Sequence, residues 1–177
     1  MKTQRTPKRW IGNMMSLAFV CAVRIASAQN GASKTASITT TIIQGLSVTN
    51  TSSLRFGAMI PGSLGGTATV SPNGSLSATG TISLLTASAY PTSAAAFNLL
   101  GAPNLAYTIT LPTSVTLTLQ GGSNTILLTA LTSSPTASGS LSSTGTGALK
   151  VGGTITVSSS QAAGVYSGTF TVTLSYE

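Results

Sequence analysis

Downstream of residue 28 the chain holds no histidine, aspartate or cysteine, and its single acid is Glu177. Paired carboxylates for glycoside chemistry therefore cannot be assembled. Neither can a Ser-His-Asp or Cys-His nucleophile, nor a zinc site built on His or Cys. Calcium would have to rely on carbonyl oxygens and Glu177, which is a poor cage. What remains for catalysis is a serine activated by Lys34 or Lys150, and neither lysine sits in a recognisable motif. The expectation is a protein that is not an enzyme and that carries no cofactor and no metal.

Other candidate groups read as structural. Asn50-Thr51-Ser52 and Asn73-Gly74-Ser75 match the glycosylation acceptor pattern, but both are read as turn residues. Tyr90, Tyr107, Tyr166 and Tyr176 suit a sugar-binding groove, although Tyr107 and Tyr176 share the parity of core positions and are read as core. Arg55 alternates with Leu54 and Phe56, which assigns it to a solvated face.

The chemistry left is that of the backbone. In residues 164–177, Phe170, Val172, Leu174 and Tyr176 alternate with Thr169, Thr171, Thr173 and Ser175, the period of a half-buried strand. No charge, proline or glycine interrupts residues 169–175. Such a strand at a sheet edge offers unpaired N–H and C=O groups to any other chain. An N-terminal segment, Ala36 to Ile42, shows the same alternation and suits a donor strand. The candidate strand-pairing interface is therefore Ala36, Ile38, Ile42, Phe170, Val172, Leu174 and Tyr176.

Lys2, Arg5, Lys8 and Arg9 precede an apolar run from Met14 to Val23, and Ala26-Ser27-Ala28 offers a cleavage site before Gln29. This reads as a secretory signal peptide over residues 1–28, followed by one domain over 29–177. The run is shorter than the roughly 20 residues a membrane-spanning helix needs, and nothing later is longer. Cys21, preceded by Val20, is read as one more apolar residue of the signal and not as a lipid attachment point. Past the signal, Lys34, Arg55 and Lys150 stand against Glu177, a side-chain balance of +2. Three scattered cations make no phosphate-tracking patch, so nucleic acid is not an expected partner. Without cysteine, the mature chain has no disulfide and must hold together by its core alone.

Along the chain, turn signals recur every eight to twelve residues or so, with no amphipathic helix between them, the pattern of an antiparallel sandwich. Strands are expected over Ala36 to Val48, broken or not at Gly45, around Leu54 to Phe56, and on both sides of Asn73-Gly74, a primed-turn hairpin signal. Further strands are expected over Leu105 to Leu111, Val115 to Leu119, Ile126 to Leu131, Leu149 to Val157 with an interruption at Gly152-Gly153, and the terminal segment. Residues 88–97 and 132–147 are expected to be loops.

The blocks LRFGAMIPG, GGTATVSPNGSLSATGTISLL, AAAF, GAPNLAYTITLP and LKVGGTITVSSSQAAGVYSGTFTVTLSY, in that order, resemble the bacterial domain-of-unknown-function family 4402. The likeness covers roughly residues 41–176. It implies an exported, all-β antiparallel sandwich, immunoglobulin-like or pilin-like, of Gram-negative bacteria, similar to spore-coat-U-type and chaperone-usher pilus subunits. The expected function is a structural or adhesive cell-surface subunit assembling by strand addition, located in the periplasm, at the cell surface or outside the cell. Its expected partners are further copies of itself and, by the pilus likeness, a periplasmic chaperone and an usher. The alternative is a monomeric secreted glycan-binding module. The continuity of the terminal apolar face predicts that Leu174→Ala destabilises the dilute chain by about 2–5 kcal/mol in urea unfolding.

Overall fold

The computed structural model describes residues 33–177 apart from Thr86. The signal peptide read over residues 1–28 lies outside the described residues. By its contacts the chain divides into two units, Met1–Thr40 and Thr41–Glu177. Of the first, residues 33–40 are described, and they are exposed and without regular secondary structure.

The second unit is all-β, with no helix among the described residues. In chain order its first strands are β1 (Ser47–Ser52), β2 (Arg55–Phe56), β3 (Ala58–Ile60), β4 (Gly66–Val70) and β5 (Leu76–Gly80). Then come β6 (Ser83–Leu85), β7 (Thr92–Ser93), β8 (Ala95–Leu100), β9 (Ala106–Thr110) and β10 (Ser114–Leu119). The last are β11 (Thr125–Ser134), β12 (Ser138–Ser140), β13 (Thr146–Val157), β14 (Tyr166–Ser167) and β15 (Thr173–Tyr176). All their pairings are antiparallel. One eight-stranded sheet runs β1-β8-β13-β11-β10-β14, with β4 on β13 and β5 on β4, and smaller sheets are β12-β9-β15, β2-β7 and β3-β6.

The twelve residues of β13 are the spine of the large sheet. One edge ladders with β11 between Lys150 and Thr156. The other is shared, by β8 from Thr146 to Val151 and by β4 from Gly153 to Val157. Gly152 sits at the handover, where a Cβ would lie 2.1 Å from the Val70 carbonyl oxygen. Gly152, one of the two glycines expected to break this strand, instead lets it pass close to β4, a role only a residue without a side chain can fill.

Inward side chains of the large sheet follow the strand period and form two buried clusters. One joins Ala68, Ile126, Leu128, Ile155 and Val157 to Leu54, Phe56 and Met59. The other joins Ala95, Leu99, Leu149 and Val151 to Tyr107 of β9 and to Phe170, Val172, Leu174 and Tyr176. Leu149, Val151 and Val70 are fully buried, each worth about 1.5–3 kcal/mol relative to exposure. Burial also pushes the Tyr107 phenol upward from its ordinary pKa. The opposite face carries hydroxyls that pair across strands, Thr67 Oγ1 with Thr79 Oγ1 at 2.6 Å and Thr69 Oγ1 with Thr154 Oγ1 at 2.9 Å.

Three local expectations change. Residues 95–97 of the expected 88–97 loop are the first half of strand β8, and Ala95 is buried opposite Val151. Three consecutive alanines carry no alternation, so periodicity could not reveal a strand whose small side chains suit a crowded spine. The expected 132–147 loop contributes the end of β11, all of β12 and the start of β13. Its Ser and Thr residues favour extended structure while hiding its parity. The turn at Asn73-Gly74 is not primed. Gly74 alone has positive φ, at 89°, and its N–H donates to the Ser71 carbonyl at 2.8 Å. Pro72 fixes a negative φ one position earlier, so a Pro-Asn turn followed by a left-handed Gly replaces the Asn-Gly turn.

Gly152→Val drives a branched side chain into the β4 backbone. The expected cost is about 1–3 kcal/mol, read by urea unfolding, with hydrogen-exchange protection falling first at residues 66–70.

Candidate functional site

The principal concavity is a groove of about 950 Å³. Its floor is the inner face of the large sheet: Val115 and Leu117 from β10, Ile126 and Leu128 from β11, Ile155 and Val157 from β13. One wall is residues 53–59, and the other is residues 161–170.

The second wall arises because the chain runs beside β10 only briefly. Thr118 pairs with Ser167 and Leu119 with Tyr166, and there the ladder stops. Just before it the loop is latched. Gln161 Nε2 donates to the Tyr166 hydroxyl at 2.7 Å, and that hydroxyl donates to the Ala162 carbonyl at 2.8 Å. Gly168 then passes tight over β10, where a Cβ would lie 2.7 Å from the Thr116 carbonyl oxygen.

From residue 168 to 172 the chain belongs to no ladder, and within the described residues its backbone forms no hydrogen bond. At Thr173 it becomes β15, which among the described residues pairs with β9 alone, its other edge open. The terminal segment, expected as one strand, is therefore two short strands joined by an unpaired extended stretch. The alternation persists throughout: Phe170, Val172, Leu174 and Tyr176 are half-buried, and the residues between them are exposed. The Phe170 ring meets Phe97 edge-on, with centroids 6.4 Å apart. Unmade backbone bonds next to an apolar trough are the geometry a further strand would complete.

Tyr176 closes the far end of this segment. Its hydroxyl accepts from the Ala102 N–H at 2.7 Å and donates to the Gln44 carbonyl at 3.0 Å. Gly101 makes room for it, since a Cβ there would lie 2.1 Å from the phenolic oxygen. Ala36, Ile38 and Ile42, the other half of the candidate interface, lie in residues 33–46, which have no regular secondary structure. The strand expected there begins only at Ser47. Ile38 is 96% and Ile42 93% exposed, and Phe170, Val172, Leu174 and Tyr176 share one inward face.

A smaller, polar cleft of about 390 Å³ adjoins the groove, lined by Asn50, Thr51, Ser52, Ser53, Arg55, Pro91 and Ser93. The β1–β8 register shifts between Asn50 and Ser52, a bulge that turns these side chains outward. Asn50 Nδ2 donates to the carbonyls of Ser52 at 2.9 Å and Ala96 at 3.3 Å, and Thr51 Oγ1 donates to the same Ala96 oxygen. Asn50 is thus a strand residue and not a turn residue. Arg55 is exposed and pairs in register with Ser93, whose hydroxyl donates to the Ser53 carbonyl at 2.7 Å. Of the lysines, Lys34 is exposed, and Lys150 is exposed on β13 opposite Ser134. The described residues hold no group of three His, Cys, Asp or Glu side chains. Among the described residues no helix is long and apolar enough to cross a membrane.

A family described as a domain of unknown function, DUF4402, matches residues 46–176. The chain belongs to that family. No curated protein and no solved structure matches it significantly. The DUF4402 match spans both walls of the groove and its floor, and leaves Ala36, Ile38 and Ile42 outside it. In the first wall the sequence showed only the brief alternation of Leu54, Arg55 and Phe56, because β2 and β3 are two and three residues long. The one available clue was Gly57 between them, at φ +71°.

Tyr176→Phe in this DUF4402 chain removes one acceptor and one donor bond. Because Ala102 is only 6% exposed, its N–H is left without a ready partner, and urea unfolding is expected to show a loss of about 1–3 kcal/mol.

Proposed function

We propose that this chain is an exported structural or adhesive subunit of the bacterial cell surface, and that its copies assemble by β-strand addition into fimbria-like or coat structures. The observation that supports this best is the unpaired backbone of residues 168–172 beside an apolar groove. An added strand would receive main-chain hydrogen bonds from that edge and place alternate side chains on the floor, which is how strand addition obtains affinity and register.

The donor in this reading is the segment around Ala36 to Ile42 of another copy. Ile38, Thr40 and Ile42 share a parity, and five extended residues span roughly 13 Å, the length of residues 168–172. Donor and acceptor are different surfaces, so the contact is heterologous and propagates as an open chain of subunits. Under the same reading the two packed layers are an immunoglobulin-like or pilin-like sandwich short of one strand. Residues 1–28 are the export signal, and a periplasmic chaperone and usher are natural partners that would cover the groove before assembly. A second reading, a monomeric secreted module that binds glycan, is favoured by the polar cleft at Arg55.

Sedimentation of the chain from Gln29 separates the two. Concentration-dependent oligomers are expected. Thr171→Pro should abolish them while changing monomer stability by less than about 0.5 kcal/mol, since the Thr171 N–H has no partner to lose among the described residues. A clean monomer at high concentration, with an unfolding transition unchanged by deleting residues 29–43, would overturn the assembly reading.

A further inference from the structure

We infer that the polar cleft beside β2 and β7 is a binding site for a carboxylate-bearing sugar, a uronic or sialic acid unit of a glycan. It goes beyond strand addition and holds for a surface subunit and a monomeric module alike, supplying the ligand that the adhesive reading lacks.

The cleft is shaped before any ligand arrives. The bulge in β1 projects Asn50 and Thr51, and two bonds from Asn50 Nδ2 to the Ser52 and Ala96 carbonyls hold the amide in one orientation. Asn50 lines the cleft, and its Oδ1 atom is an acceptor. The Ser93 hydroxyl donates its hydrogen bond to the Ser53 carbonyl, so toward a ligand its oxygen acts as an acceptor. These groups, with the hydroxyls of Ser52 and Ser53, match the mixed donor and acceptor pattern of ring hydroxyls.

Arg55 selects the charge. It stands opposite Ser93 in the short β2–β7 ladder, and among the described residues its guanidinium has no hydrogen-bond or ion-pair partner. Its planar fork receives a carboxylate through two parallel bonds. Arg55 is the single cation of the lining, which suits the one charge of a carboxylate better than the two of a phosphate monoester. Tyr90, 56% exposed and lining the adjoining groove next to Pro91, supplies an aromatic face against which a pyranose ring can lie.

The test is an NMR titration of the ¹⁵N-labelled chain from Gln29 with methyl glucuronide, N-acetylneuraminic acid, neutral methyl glucoside and inorganic phosphate. At least one acidic sugar should shift the amides of residues 50–55 and 93, and the glucoside should bind about tenfold more weakly or worse. Arg55→Gln should remove that preference, Arg55→Lys should retain part of it, and neither should move the urea midpoint because the side chain is exposed. The inference is overturned if neither acidic sugar shifts these amides, if glucoside binds equally well, if phosphate binds more tightly than both acids, or if Arg55→Gln changes nothing. Sedimentation is read separately, so failure here leaves the assembly reading standing, and the reverse also holds.

Discussion

The large sheet is arranged around the hydrogen-bonding edges of β13. One edge is claimed along nearly the whole strand by β8 and then β4, and the other by β11 from Lys150 to Thr156. That double claim fixes the large sheet, and the sheet fixes the floor on which both buried clusters rest. Gly152 is the point at which β8 gives way to β4, and the approach of the Val70 carbonyl there leaves no room for a side chain. A substitution at this one position would therefore disturb three strands at once.

The groove follows from how the chain ends its tour of that sheet. β14 holds β10 for two residue pairs, after which the chain crosses to the smaller sheet and resumes pairing only at Thr173. Between the two it keeps its apolar residues inward without making a ladder. Core packing and backbone pairing, which usually coincide in a strand, are separated here over five residues. The side chains are already committed to the core, and the backbone bonds are not yet made. A partner strand would consequently gain hydrogen bonds without asking the acceptor to reorganise its interior.

Hydropathic alternation recovered the strands that have one wet and one dry face, such as β9 and β10, and the all-β class with them. It also placed Phe170, Val172, Leu174 and Tyr176 on a common inward face. What it could not report is whether a strand has a neighbour, because alternation records the two faces of a strand and not its two edges. Residues 168–172 and 36–42 alternate alike, yet neither is in a ladder. Segments built of alanine, or of serine and threonine, carry too little contrast to show parity, which is why the first half of β8 and all of β12 read as loops. The polar cleft was out of reach for a different reason. Its shape depends on a register shift between Asn50 and Ser52, and register is a property of two strands that no single segment encodes.

The hydroxyl pairs on the outer face of the large sheet, Thr67 with Thr79 and Thr69 with Thr154, occupy cross-strand sites where many proteins place ion pairs. Bonds between neutral hydroxyls neither titrate nor respond to ionic strength, whereas exposed ion pairs weaken with added salt. Histidine is absent from the whole chain and Glu177 is its only acid, so few protons are taken up or released when the fold opens between the carboxylate and lysine ranges. Stability across that interval is correspondingly flat. Folding of a chain with this surface is therefore expected to depend little on pH within that interval or on added salt.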